Sequence, residues 1–212
     1  MNVLIMFYIF VHINQMCIKM GNQQLCNLEN KIKQVILSGI LGDNCLHSQS
    51  KTNPKTYNLS SSCIHKEYIN FKSDILKNYN PVIGYTEKNG YCSTPIYTLR
   101  TRVNPIFGLY KSYSLANVCE ELDEFGLALW FYDDCSLHKT KLFYNVCTHS
   151  FSKEDQEKYI IPLLNRFNIF PKLTLERKKD GREFYYLRVS RFEDAFEMSE
   201  IMKKLPFTCF EY

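Results

Sequence analysis

The sequence predicts an α/β (α+β) chain made of two similar halves, each with the element order αββαββα. Residues 36–46 and 127–137, about ninety positions apart, are both apolar runs that stop at an aspartate and then continue in polar residues. The helical and strand patterns after each run occur in the same order. A carboxylate at the C-terminal end of a helix faces the negative end of the helix dipole, which is unfavourable. Two such aspartates, Asp43 and Asp134, predict a duplicated fold that brings two carboxylates together at a functional site.

The first half has a regular succession of periodic segments. Apolar residues repeat at helical spacing or alternate as in strands, and the turn sequence Lys88-Asn89-Gly90 joins the last two strands into a hairpin. In chain order, we predict a helix over 25–41, a strand over 56–64, a helix over 65–79, strands over 82–86 and 96–102, and a helix over 104–113.

The second half repeats this order. Ser152 and Asp155 form an N-cap pattern, and Lys179-Asp180-Gly181 is a strong hairpin turn. In chain order, we predict a helix over 121–132, a strand over 141–148 whose partner opens at Leu137, a helix over 153–167, strands over 172–178 and 183–190, and a helix over 192–205.

The repeat divides the chain into an N-terminal extension (1–29), a first half (30–118) and a second half (119–212). The apolar stretch 3–13 is interrupted only by His12 and is shorter than the roughly 20 residues of a membrane span, so no membrane partner is predicted. No basic residue precedes it, as a signal peptide would require. We interpret the extension as upstream coding sequence or a loosely attached segment, with a cleaved signal as the alternative.

Charge is distributed unevenly along the chain. The net charge is +4, yet residues 1–118 carry 12 basic and 5 acidic side chains, whereas residues 119–212 carry 14 and 17. Within the acidic half, residues 166–192 still hold 8 basic and 3 acidic residues. Segregated basic stripes are compatible with nucleic-acid binding. A solvated surface of mixed charge explains the same composition.

The nine cysteines argue against two classes of site. Their number is odd and no C-x-x-C pair occurs, so neither a zinc ribbon nor a thioredoxin-like motif is supported. Free thiols fit a reducing, intracellular compartment.

Several stretches together resemble the LAGLIDADG homing endonucleases in their single-chain, two-motif form. These stretches are Leu41-Gly42-Asp43 with Leu46, His65-Lys66-Glu67-Tyr68 with Lys72, residues 97–102, residues 127–131 followed by Asp133-Asp134, and residues 148–152. The resemblance covers residues 30–212.

The wealth of Lys, Asn, Ile, Phe and Tyr suggests an AT-rich genome, as in an organelle (mitochondrion or plastid), a phage-infected cell or a low-GC bacterium.

The resemblance implies a monomer with internal pseudo-twofold symmetry, in which two motif helices pack side by side below a DNA-binding β-saddle. Its expected partner is double-stranded DNA with a long, near-palindromic or asymmetric target site. Asp43 and Asp134 would each serve one strand and hold Mg²⁺ or Mn²⁺, with the two-metal logic of phosphodiester cleavage. Gly42 and Asp133 complete the expected metal neighbours; Asp133 would offer its carbonyl while its side chain faces solvent or caps the helix. Trp130 is expected in the core of its own half.

DNA contacts are expected from the strand faces, because a ribbon of strands fits the major groove. His47 and Gln49 would orient the catalytic water, and Arg188 and Arg191 would supply a basic group near the phosphate. Each of these residues has an ordinary alternative as a solvated strand-edge charge or a loop residue. The remaining candidates are Lys55, Arg100, Arg102, Lys139, Lys141, His149, Lys172, Arg177 and Lys178.

The chain departs from the family pattern after each motif aspartate, where Asn44 and Cys135 replace the usual glycine. Asn tolerates a left-handed backbone, whereas Cys does so poorly. The sequence therefore leaves open a non-cleaving descendant that binds intron RNA as a maturase, or DNA as a regulator. An unrelated α/β protein with an incidental basic stripe is the third possibility.

Overall fold

The computed structural model describes residues 27–48, 57–87, 94–138 and 143–207. Eight strands and eight helices are defined in these ranges, and they follow the predicted alternation. The strands are β1 (Cys45–Ser48), β2 (Tyr57–Cys63), β3 (Val82–Thr86), β4 (Ile96–Arg100), β5 (Cys135–Leu137), β6 (Tyr144–Val146), β7 (Lys172–Arg177) and β8 (Glu183–Val189). The helices are α1 (27–41), α2 (Lys66–Ile75), α3 (Pro105–Lys111), α4 (Leu115–Glu121), α5 (Glu124–Asp134), α6 (Lys153–Asp155), α7 (Ile161–Arg166) and α8 (Phe192–Met202).

Two antiparallel four-stranded sheets repeat one topology. The strand orders are β1-β2-β4-β3 and β5-β6-β8-β7, which confirms the predicted α/β class. Gly181 closes the β7–β8 hairpin at a φ of 85°, a conformation that glycine adopts without strain. The predicted turn at 88–90 lies outside the described residues.

Strand register shows that the two motif aspartates are structurally equivalent. One row of paired residues crosses each sheet at the same place, and a basic residue lies on the third strand of each row. Asp43 precedes the first residue of its row by two positions, and so does Asp134. The rows are Cys45, Ser60, Arg100 and Val82 in the first sheet, and Ser136, Asn145, Arg188 and Lys172 in the second.

The helix boundaries around the second motif differ from the prediction. The helix expected over 121–132 is interrupted, because the Asp123 side chain accepts a hydrogen bond of 2.9 Å from Gly126 N and caps a new helix. Glu121 therefore ends α4, and α5 extends to Asp134. The predicted boundary between residues 118 and 119 falls inside α4, so the division into halves stays a prediction. The predicted order αββαββα includes a strand before 56–64, but no bounds were predicted for it; it is β1. Helix α6 continues through a π-helical segment, Gln156–Ile160, into α7.

The two helices that carry the motif aspartates, α1 and α5, lie in the centre of the core. We call them the motif helices. Val35, Ile36 and Leu37 of α1 are fully buried, and so are all five residues 127–131 of α5. Burial on nearly every side accounts for the lack of amphipathic patterning in these runs. Within the described ranges, no helix combines the length and apolarity needed to cross a membrane.

Gly126 generates a stability prediction, because it lies where α5 meets α1. A Cβ atom at this position would be 2.3 Å from Gln34 Oε1 and 2.7 Å from Leu122 Cδ1. We expect Gly126→Ala to lower the free energy of unfolding by about 1–3 kcal/mol, because overpacking outweighs the gain in helix propensity. Urea unfolding would measure the change. The control Lys66→Ala, at an exposed position of α2, should change it by less than about 0.5 kcal/mol; equal effects of the two substitutions would contradict the prediction.

Candidate active site between the motif helices

The first motif touches the end of α5 through Gly42. A Cβ atom at Gly42 would lie 3.1 Å from both Asp133 Cβ and Asp134 Oδ2, and 3.3 Å from Trp130 Cδ1. A glycine allows this close approach, which a larger side chain would obstruct. Asp43 follows Gly42 directly, and it is near enough for its negative charge to contribute to the raised pKa of Asp134.

Asp134 is held at the last turn of α5 by two hydrogen bonds. Trp130 Nε1 donates to Asp134 Oδ2 at 2.8 Å, and Cys147 N donates to the Asp134 carbonyl at 2.9 Å. Burial and then the negative charge of Asp43 raise the pKa of Asp134 to about 7, against the opposing effect of the Trp130 hydrogen bond. The carboxylate is oriented by the protein but is costly to ionise.

Asp43 has a similar environment at the end of the first motif. Part of the Asp43 side chain reaches solvent. The pKa of Asp43 is nevertheless raised, first by burial and then by the negative charge of Asp133, whereas the positive charge of Lys72 lowers it. Carboxylates that raise the pKa values of their neighbours form a region of concentrated negative potential. Such a region gains free energy when a cation binds.

The Asp133 side chain corrects the prediction that it faces solvent or caps the helix. It is only 3% exposed and forms an ion pair with Lys72 Nζ at 3.0 Å, and Lys72 itself is fully buried. Lys72 was not among the predicted site residues. The available signal was its position on the apolar side of α2, three residues after Ile69 and three before Ile75, where a solvated lysine is not expected.

Trp130 also lies elsewhere than predicted. Its side chain is fully buried, but it contacts Gly42 of the opposite motif and donates to Asp134 rather than serving only the core of its own half. The only tryptophan of the chain is thereby a direct reporter on the Asp134 carboxylate.

The two departures from the family glycine carry no left-handed strain. Asn80 and Asn168 are the only non-glycine residues with positive φ in the described parts of the chain. Cys135 is extended, with φ −94° and ψ 145°, and begins β5. Asn44 folds back on α1, where its Nδ2 donates to Val35 O at 3.0 Å. Neither position requires the left-handed backbone conformation that favours glycine.

The donor set fits a hard divalent cation that also binds DNA oxygens. Among the described residues, no group of three or more His, Cys, Asp or Glu side chains is arranged to hold a metal ion. Asp43 and Asp134 provide two carboxylates, and Mg²⁺ commonly takes one or two carboxylates together with phosphate oxygens and waters. The assignment of Asp43, Asp134 and the Gly42 and Asp133 carbonyls to the metal stays a prediction.

The predicted DNA-contacting residues that lie within the described ranges fall into three groups: the first sheet, the second sheet, and residues paired with acidic side chains. His47 lies exposed on β1, and Arg100 and Arg102 lie exposed at the end of β4 and just beyond it. In the second sheet, Lys172 is exposed, and Arg188 Nε donates to Asn145 Oδ1 at 3.2 Å. Gln49, Lys55, Lys139 and Lys141 lie outside the described residues.

The third group contacts acidic side chains around the second sheet. His149 Nε2 lies 3.0 Å from Glu176 Oε2, and Lys178 pairs with the other oxygen of Glu176. Arg177 pairs with Glu183 at 2.8 Å, and Arg191 lies 3.8 Å from Asp194 at the start of α8. His149 and Glu176 line a cavity of about 400 Å³ with Ser136, Asn145, Cys147, Leu175 and Tyr186.

The hydrogen bond between Trp130 and Asp134 generates a spectroscopic prediction. We expect Trp130 fluorescence to change with a midpoint near pH 7 as Asp134 ionises. Asp43→Asn should lower this midpoint, since it removes a negative charge that raises the pKa of Asp134. A pH titration with selective excitation of Trp130 measures both values. The remote control Asp180→Asn should leave the midpoint unchanged, and an unshifted midpoint in Asp43→Asn would contradict the coupling.

The raised pKa of Asp134 also predicts a stability effect. The pKa in the folded chain, about 7, exceeds the value of about 3.9 in unfolded chains, so ionisation costs folding free energy fully above pH 7 and not at all below pH 4. We expect Asp134→Asn to stabilise the protein by up to about 4 kcal/mol at pH 8, because each pKa unit corresponds to about 1.4 kcal/mol, with the gain fading toward pH 4. Urea unfolding at several pH values would test this; a loss of stability at pH 8, or a gain independent of pH, would contradict it.

Comparisons with known proteins agree with this fold. The structure superposes on homing endonuclease I-WcaI bound to its DNA recognition sequence (TM-score 0.65, 20% identity, covering 84% of this chain and 83% of that one). It also superposes on I-DmoI in complex with DNA and Mn (TM-score 0.54, 14% identity, 84% and 99%) and on full-length DUF199/WhiA from Thermatoga maritima (TM-score 0.54, 12% identity, 82% and 55%). No curated protein sequence matches the chain. The sequence profile of the LAGLIDADG DNA endonuclease family matches residues 33–194, and the chain therefore belongs to this family.

Proposed function

We propose that the protein is a site-specific endonuclease that cuts both strands of double-stranded DNA with divalent metal. The observation that carries this proposal is the convergence of Asp43 and Asp134 at equivalent positions of the two halves. The negative charge of Asp43 raises the pKa of the half-buried Asp134, and such an arrangement of neighbouring carboxylates is unexpected without a cationic ligand. Membership of a DNA endonuclease family supports the same reading.

The two sheets provide the surfaces for DNA. Arg100 and Arg188 occupy the same place in their respective rows, one in each sheet. Arginine can contact guanine with two hydrogen bonds or neutralise phosphate. We propose that one monomer thereby spans a long target site, with each half contacting one side.

The catalytic work is assigned to Asp43 and Asp134, one for each strand. Divalent cations, Mg²⁺ or Mn²⁺, would activate water and stabilise the leaving oxygen when bound there with DNA. Trp130 keeps Oδ2 of Asp134 in place, and the position of Gly42 brings Asp43 alongside. Support for metal use comes from related proteins, since I-DmoI has been crystallised with DNA and Mn and with DNA and Ca.

The alternative of a non-cleaving maturase or DNA-binding descendant was suggested by Asn44 and Cys135. Neither residue adopts a left-handed backbone, so the loss of glycine at these positions does not favour the non-cleaving alternative. An intracellular location is part of our proposal and is supported by the five described cysteines, which are all free thiols.

Cleavage of the uninterrupted gene at the insertion locus, or of a randomised DNA library, tests the proposed function. We expect cutting of both strands with Mg²⁺ and none with EDTA. Asp43→Asn and Asp134→Asn should each slow double-strand cutting by about a hundredfold or more and leave nicked product, whereas Asp180→Asn should cut normally. Specific binding by the unaltered protein without cutting would favour the alternative. The absence of both binding and cutting would refute a role on DNA.

A further inference from the structure

Lys72 is a buried cation that contacts both motifs. Its Nζ donates to Asp133 Oδ1 and Oδ2 at 3.1 and 3.0 Å, to Asn44 Oδ1 at 3.3 Å and to Ser61 Oγ at 3.3 Å. It also lies 4.3 Å from the centre of the Tyr68 ring. With these partners and a side chain that is fully buried, the ammonium group has a fixed position.

The partners of Lys72 are the chain neighbours of the two motif aspartates. Asn44 follows Asp43, and Asp133 precedes Asp134. Asn44 is in turn anchored on α1 through Val35 O, and its side chain covers Gly39, where a Cβ atom would lie only 1.8 Å from Asn44 Nδ2. A continuous hydrogen-bonded path therefore runs from α1 through Asn44, Lys72 and Asp133 to α5.

This path joins the two halves, and among the described residues it has no counterpart related by the internal repeat. The position equivalent to Asp133 in the first motif is Gly42, and the position equivalent to Asn44 in the second motif is Cys135. The contact is thus not a by-product of the duplicated fold. Asp133 and Asn44 each differ from the equivalent residue of the other motif, and both accept hydrogen bonds from the ammonium group of Lys72.

We propose that Lys72 is a positioning residue, which through Asn44 and Asp133 fixes the separation and orientation of the Asp43 and Asp134 carboxylates. The functional part of this inference rests on the proposed function, whereas its structural part does not. Lys72 does not act on DNA directly, because its ammonium group has no exposed surface. Partners beyond the ligands themselves commonly tune a metal site by orienting the ligands.

The test must separate positioning from simple neutralisation of the buried Asp133. Lys72→Met alone leaves Asp133 without a partner and can unfold the chain. The double variant Lys72→Met/Asp133→Asn removes both charges and keeps similar side-chain shapes. Lys77→Met, at an exposed position just after α2, is the matched lysine control. Circular dichroism and urea unfolding would establish that the double variant is folded.

The structural readout uses Mn²⁺ as the probe and the indole N–H of Trp130 as the detector. In the ¹⁵N-labelled full chain, Mn²⁺ bound between the aspartates should broaden the Trp130 resonance, with Ca²⁺ as the diamagnetic control. We expect half-broadening in the folded double variant to require about 10- to 100-fold more Mn²⁺ than in the unaltered protein. Lys77→Met should match the unaltered protein. An unchanged Mn²⁺ midpoint in the double variant, or no broadening in the unaltered protein, would overturn the proposal.

Single-turnover cleavage gives the functional readout. The double variant should cut at least about tenfold more slowly while its DNA affinity in Ca²⁺ stays close to that of the unaltered protein. Full cleavage by the double variant would show that Lys72 only neutralises Asp133, and would overturn the positioning role. If the unaltered protein does not cut DNA, the proposed function fails, and the Mn²⁺ titration still decides whether Lys72 positions the carboxylates.

Discussion

Repulsion between the Asp43 and Asp134 carboxylates is the constraint around which the centre of the molecule is arranged. Each has a raised pKa because of burial and a neighbouring carboxylate, so the pair opposes folding at neutral pH. The apolar motif helices offset this cost, since the central residues of both, Val35 to Leu37 in α1 and 127–131 in α5, are completely buried. The core around the site therefore offsets the cost of its charges, and strongly perturbed carboxylates of this kind are typical of functional sites.

The duplication is imperfect in a way that matters for this constraint. The sheets share topology and register, yet the residue before the motif aspartate is Gly42 in one half and Asp133 in the other. The glycine permits close approach, and the additional acid recruits Lys72 from α2 of the first half. One buried cation among three carboxylates reduces their repulsion without leaving the core unpaired. Symmetric folding and asymmetric charge compensation are thus combined at one interface.

Periodicity was sufficient to predict most elements, because each depends on residues that are close in sequence. The hairpin at Gly181 and the strands β7 and β8 were found from local turn chemistry and alternation. The break between α4 and α5 was missed, since the Asp123 cap lies inside a continuous apolar pattern. The Lys72–Asp133 pair joins residues 61 positions apart, and no local pattern indicates such a contact. The aspartates were identified because the motif repeats, whereas their partners do not.

The hydrogen bond from Trp130 bears on how Asp134 could serve a cation. An ionised carboxylate has about four lone-pair sites, and the indole uses one of them on Oδ2. The Asp134 carbonyl already accepts from Cys147 N, which makes the carboxylate the more available donor of this residue. Trp130 thereby restricts the rotation of Asp134 without consuming its capacity for a metal. Under the proposed function, preorganisation of this kind would lower the entropy lost when DNA and metal bind, and it is supplied by the bulkiest fully buried side chain of the described residues.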